Sequence, residues 1–103
     1  MAELVTEARK IVRKKEVCGG VPLLDGTRIR VSDVTVQHEY FGLSPEEITS
    51  EFPALSLADV YAALTYYHEH PREIREEIKA REKFFEEVKR QQHLFTDSRA
   101  LPS

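Results

Sequence analysis

Few residues of this chain could do chemistry, and they are scattered. Four histidines (His38, His68, His70 and His93), one thiol (Cys18) and two aspartates (Asp25 and Asp33) flanking a short β-branched run make up the set. His68 and His70 stand two apart where a helix is predicted to end, a place where a cation offsets the helix dipole. No third ligand falls at a spacing that would complete a metal site, and neither a Cys/His cluster nor an H-E-x-x-H signature occurs. There is no glycine-rich phosphate loop, and Cys18 has neither a disulfide partner nor an identifiable base beside it in sequence. Asp25 and Asp33 both read as structural, one in a turn and one in the first turn of a helix. No metal, no cofactor and no catalysis are expected. The remaining chemistry is ionic: a basic cluster, Arg9, Lys10, Arg13, Lys14 and Lys15, followed by Arg28 and Arg30.

That basic chemistry is confined to part of the chain. The net charge of -3 conceals seven Lys/Arg against four acids in residues 1–31, then no Lys or Arg and seven acids in residues 32–70. Residues 71–103 carry eight basic and seven acidic groups. A protein that grips nucleic acid needs cations facing the phosphates, because counterion release supplies most of the affinity. The middle of the chain offers none. At 103 residues the sequence supports one small domain, and 32% charged residues indicate a soluble, helix-rich one. No run approaches the roughly 20 apolar residues that span a bilayer, and the N-terminus lacks the order of a signal peptide. A cytoplasmic protein with no membrane association is expected.

The elements that would position these groups can be read in order. Residues 1–15 are predicted to hold an amphipathic basic helix over 3–15, with Leu4, Val5, Ala8, Ile11 and Val12 at helical spacing. Gly19-Gly20 breaks it. Residues 21–31 then read as a β-hairpin whose two-residue turn, Asp25-Gly26, suits type I′. In that hairpin Val21, Leu23, Ile29 and Val31 would face the domain, and Arg28 and Arg30 would project from the other face. Ser32 is predicted to cap a helix from Asp33 to about Phe41, closed by Gly42.

Gly42 to His70 holds two further helix starts. Ser44-Pro45 with Glu47, and Ser56 with Asp59, are both capping-box patterns, separated by Pro53. A short helix, a tight turn and a longer helix give a helix-turn-helix outline. On the longer helix, about 100° per residue puts Leu57, Val60, Tyr61, Leu64, Tyr67 and His68 on the core side. Ala58, Asp59, Ala62, Thr65, Tyr66 and Glu69 fall outward. Base edges are usually read by Arg, Asn, Gln or Ser, so this small, mildly acidic face favours contact with protein over contact with DNA. Pro71 starts a last, heavily charged helix, Arg72 to about Gln92, with Ile74, Ile78, Phe85 and Val88 on one stripe. The adjacent Phe84 and Phe85 cannot both face one surface, which suggests a partner chain. Residues 93–103 are predicted to form a flexible tail with Leu94 and Phe95 as isolated anchors.

The stretch G-G-V-P-L-L-D-G-T-R-I-R-V-S-D-V (19–34), followed by G-L-S-P-E-E-I-T-S-E-F-P-A-L-S-L-A-D-V-Y-A-A-L-T-Y-Y-H-E-H (42–70), resembles domain-of-unknown-function family 433. These small prokaryotic proteins are regarded as antitoxin-like. The resemblance covers roughly residues 16–80. It implies a mostly α fold: a helix-turn-helix core of homeodomain-like or winged type, with a small β-hairpin and a long C-terminal helix. It also implies a homodimeric, non-enzymatic antitoxin that neutralises a PIN-like ribonuclease toxin by direct binding and autoregulates its operator. Most matching positions, such as Gly20, Pro22, Gly26, Ser44, Ile48 and Pro53, have structural readings. Thr27 and Arg28 are less easily explained that way and rank first as functional positions.

Two sets of residues carry these expectations. Operator DNA would be met by Thr27, Arg28, Arg30, Arg9, Lys10 and Lys14. A second copy or the toxin would be met by Ala58, Ala62, Tyr66, Phe84, Phe85, Leu94, Phe95 and Arg99. Arg99 could pair with the carboxylates that hold metal in such a nuclease. Two other readings stay open, a stand-alone DNA-binding repressor and a protein-interaction module that binds no DNA.

Overall fold

The structure, a computed structural model, describes residues 7–100, with side chains described for 7–91. Two short strands, β1 (Ile11–Val12) and β2 (Leu23–Leu24), pair antiparallel, with Ile11 opposite Leu24 and Val12 opposite Leu23. Helix α1 (Val31–Thr35) runs into a π-helical turn over Val36–Tyr40. Then come α2 (Pro45–Glu51), α3 (Leu57–Glu69) and α4 (Pro71–Ala100). The described residues are therefore mostly helical, with one two-stranded sheet.

The expected first helix over 3–15 is not there. Residues 7–10 belong to no helix or strand, residues 11–12 form β1, and residues 1–6 lie outside the described residues. β-branched Ile11 and Val12 suit a strand, and tertiary partners claim this backbone: Asp25 donates its N–H to the Lys10 carbonyl at 2.9 Å. Strand pairing wins over a helix too short to stand alone.

The 21–31 segment does fold back on itself, with a bridge between Leu23 and Arg30 and the Leu24 N–H on the Ile29 carbonyl at 2.9 Å. Its turn is not type I′, because only Gly26, not Asp25, has positive φ (81°). One positive φ at the third turn position is the type II requirement. Nor does burial alternate. Pro22, Leu23 and Leu24 are all buried, and Leu24 joins the main core cluster.

Helix starts were legible with one exception. In α2 the Ser44 hydroxyl accepts the Glu47 N–H at 3.1 Å and the Glu47 carboxylate accepts the Ser44 N–H at 2.8 Å. Ser56 and Asp59 repeat the arrangement at α3, at 3.1 and 2.9 Å. Ser32, however, caps nothing: Arg30 is the N-cap of α1, and its N–H is bound by the Asp33 carboxylate at 2.9 Å. Gly42, with φ 74°, ends the π-helical turn, and the Leu43 N–H closes on the Gln37 carbonyl at 3.0 Å.

The core gathers Leu24, Val31, Val34, Ile48, Val60, Leu64, Tyr67, Ile74 and Ile78, so every helix contributes. Helix α3 is turned relative to the projection from sequence. Asp59, Val60, Ala63, Leu64 and Tyr67 are buried, while Leu57, Tyr61 and His68 are exposed. The N-terminal strand docks against the Asp59–Tyr66 side and draws it inward. Helix α4 extends past Gln92 and takes in much of the predicted flexible tail, up to Ala100. At about 1.5 Å per residue it is roughly 45 Å long. Leu24→Ala, at a fully buried position, is expected to cost about 2–5 kcal/mol, read from the denaturant midpoint at unchanged slope.

Candidate functional site

Arg9 meets the molecule at four points. Its N–H and Nε donate to the two Asp59 carboxylate oxygens at 2.7 and 3.2 Å. Its Nη1 reaches the Asp25 carbonyl at 2.9 Å, and Nη2 the Ala54 carbonyl at 3.4 Å. A Cβ on Gly26 would come within 2.9 Å of Nη1 and displace the end of the Arg9 side chain, while the positive φ of 81° is what favours glycine there. Burial pushes the Asp59 carboxyl up more than any other single influence. The Arg9 and Ser56 N–H groups, the Ser56 hydroxyl and the Arg9 charge together outweigh it and hold the carboxyl below its ordinary value.

Three of the six other cations in residues 7–31 are also engaged. Lys14 pairs with Asp25 at 3.1 Å, and Arg13 binds Glu73 and donates to the Tyr66 hydroxyl at 2.9 Å. Arg30 Nε pairs with Asp33 at 3.3 Å. Thr27 closes its own turn, donating to the Leu24 carbonyl at 2.7 Å and accepting the Ile29 N–H at 3.0 Å. Of the six residues expected at DNA, four are therefore held within the fold: Thr27, Arg30, Arg9 and Lys14. Lys10 and Arg28 are exposed and, with Lys15, lack an ion pair among the described residues.

A second polar network, which the sequence reading did not find, lies between α1 and α4. Ser32 donates to Glu77 at 2.6 Å and accepts from Arg81 at 2.9 Å, and Arg81 also reaches Asp33 at 3.0 Å. Burial raises the Glu77 carboxyl despite the Ser32 hydrogen bond and the nearby Arg81 and Arg30 charges. Glu77 Oε1 and Arg81 Nε are buried without a hydrogen-bond partner. The signal was available: Glu77 and Arg81 stand at i, i+4 beside the apolar stripe of Ile74 and Ile78.

The positions expected to meet a partner divide. Ala58, Ala62 and Tyr66 are half-buried, and Tyr66 is tied to Arg13 and Glu73 and stacked with His70. Phe84 and Phe85 are 69% and 68% exposed. The side chains of Leu94, Phe95 and Arg99 lie outside the described residues. An open groove between the π-helical turn and α4 is lined by Val36, Ile78, Arg81, Glu82 and Phe85. Among the described residues, no three His, Cys, Asp or Glu side chains converge as a metal site. Nor is any helix among them long and apolar enough to cross a membrane.

The segment from β1 through most of α3, residues 11–67, matches the sequence profile described as "Protein of unknown function (DUF433)". The chain belongs to the DUF433 family. A crystal structure of a DUF433 member from Anabaena variabilis is 33% identical, with 67% of each chain covered and a TM-score of 0.60. A search of curated proteins finds no match. The residues that match the DUF433 profile stop before α4, so the exposed phenylalanines stand outside the matched region.

Two outcomes test the networks. Asp59→Ala removes a helix cap and leaves Arg9 without its carboxylate, at an expected cost of about 2–4 kcal/mol near neutral pH. Because the folded carboxyl is depressed, its contribution is present above the ordinary aspartate value and lost as pH falls through the lower folded one. Denaturation midpoints of parent and variant should therefore converge in acid. Glu77→Gln has the opposite sign. The folded carboxyl is raised, so its ionised form costs stability at neutral pH, and the variant should melt higher there. That gain should fade as pH drops through the raised value.

Proposed function

We propose that this DUF433 protein is an antitoxin-like component of a type II toxin–antitoxin system that binds and neutralises a PIN-like ribonuclease. The observation that carries the reading is α4. It leaves the domain after Arg81, and its next large apolar residues, Phe84 and Phe85, are more than two-thirds exposed. An exposed pair of aromatics on a charged helix is a docking element, since aromatic side chains dominate interface energetics. Residues beyond Glu82 would hold the nuclease, with Phe84, Leu94 and Phe95 as anchors and Arg99 directed at its metal-binding carboxylates.

The α2–turn–α3 unit reads as a helix-turn-helix, used here as scaffold more than as reader. Residues 32–70 contain no Lys or Arg, and four of the six residues first considered for DNA are occupied internally. Operator binding, as part of autoregulation or as the job of a stand-alone repressor, would fall to Lys10, Lys15 and Arg28. An interaction module without DNA binding is the remaining form of the proposal.

Co-expression with the neighbouring nuclease is the test. The full chain should restore growth, and a chain ending at Glu82 should not; neutralisation by the truncated chain would remove α4 from the role. A gel shift on the upstream DNA separates the forms. Binding that weakens and loses salt dependence in Lys10→Ala/Arg28→Ala would support operator contact.

A further inference from the structure

Residues 7–17 are held to the domain largely by charge. Three of their cations are paired with acids of other elements: Arg9 with Asp59, Arg13 with Glu73 and Lys14 with Asp25. Those three side chains remain 39%, 51% and 47% exposed, where ion pairs are weak and screened by salt. Strand β1 is only two residues long, and Ile11 is its contact with the main core. The segment ends at a hinge. Cys18, Gly19 and Gly20 follow one another with positive φ of 53°, 73° and 85°, and glycine turns through such angles at little cost. Beyond the hinge, β2 has a second neighbour besides β1, through the Leu23–Arg30 bridge and the Leu24 N–H on the Ile29 carbonyl.

We infer that this segment is a detachable basic arm, masked by the domain's own acids and drawn out by a chain of phosphates. Its charge differs between the two states. Residues 7–17 hold five cations (Arg9, Lys10, Arg13, Lys14 and Lys15) against two acids, Glu7 and Glu16. Docked, Asp59, Glu73 and Asp25 cancel the excess. Released, the arm carries all of it within a few residues. A ligand shifts such an equilibrium by its differential affinity for the two states. The docked segment offers a phosphate chain only the exposed Lys10 and Lys15. The released arm offers five cations, and each contact with a phosphate displaces counterions. The basic cluster of the sequence thus keeps a binding role that its ion pairs conceal. This device needs no base sequence, no contact from α4 and no nuclease.

Anisotropy of a labelled random-sequence DNA duplex with the full chain tests it, with inorganic polyphosphate as competitor. The duplex should bind at low salt and polyphosphate should displace it. Binding without displacement would confine the ligand to the nucleic-acid backbone, and no binding would overturn the arm. Arg13→Gln and Lys14→Gln should each flatten the slope of log K against log salt by about one, as Lys10→Gln and Lys15→Gln do. Slopes that respond only to Lys10 and Lys15 would mean a segment still docked, and would overturn release. Glu73→Gln frees Arg13 without changing the arm and should tighten binding roughly two- to fivefold. Glu76→Gln, at an exposed acid three residues on, should do less; equal effects would overturn the masking. Hydrogen exchange reads the release itself. With saturating duplex the Asp25 N–H, which donates to the Lys10 carbonyl at 2.9 Å, should lose protection while the Val60 N–H of α3 keeps it. Unchanged protection at Asp25, or loss at both, would overturn a detachable arm.

Discussion

One buried carboxylate holds the amino-terminal half of this fold together. Asp59 caps α3 through Ser56 and binds both the backbone and the guanidinium of Arg9. An ionised carboxylate at 3% exposure is costly unless its lone pairs are filled. Filling them demands that residue 9 sit beside the α3 N-terminus. That requirement pulls the N-terminal segment out of helix and into a strand. It also turns α3 so that Asp59 faces inward, and brings Arg9 across Gly26 at the tip of the hairpin. The sheet register, the turn and the exposed face of α3 all follow from where this charge is satisfied.

The Ser32–Glu77–Arg81 network does the corresponding work at the other end. It lies among the last contacts α4 makes with α1, and two of its atoms are buried without partners. Polar contacts of fixed geometry set a helix direction more narrowly than apolar packing alone. Their position at residues 77–81 determines that α4 leaves the domain one turn before Phe84 and Phe85. Helix α4 thus continues past the domain, with Phe84 and Phe85 exposed among the described residues.

These two networks change the distribution of charge available for binding. The sequence offers a basic N-terminal third, yet Arg9, Arg13, Lys14 and Arg30 each neutralise an acid of the same chain. What remains for an anionic partner is sparse, and the helix pair that outlines a DNA reader carries no cations. The large apolar side chains exposed among the described residues lie on α4 (Phe84, Phe85), at the end of the π-helical turn (Tyr40, Phe41) and on the first turns of α3 (Leu57, Tyr61). The proposal of protein recognition rests on the exposed aromatics of α4, and the DUF433 match spans the scaffold rather than that arm.

Local chemistry in the sequence determined the helix starts at Ser44 and Ser56, the breaks at Gly42 and Pro53, the stripe of Ile74, Ile78, Phe85 and Val88, and the absence of cations from 32 to 70. Caps, breakers and periodicity act within a few residues, so the sequence by itself determines them. Tertiary structure alone decided that residues 7–17 are not a helix, that Ser32 belongs to α4 rather than to a cap, and that Thr27 and most of the arginines are spoken for. Thr27 is held locally, by Leu24 and Ile29 in its own turn, but the other outcomes depend chiefly on pairs 45 to 60 residues apart, such as Arg9 with Asp59, Arg13 with Glu73 and Ser32 with Glu77. No spacing rule within the sequence encodes such pairs. They exist because a folded interior leaves a buried charge no other place to find its partner.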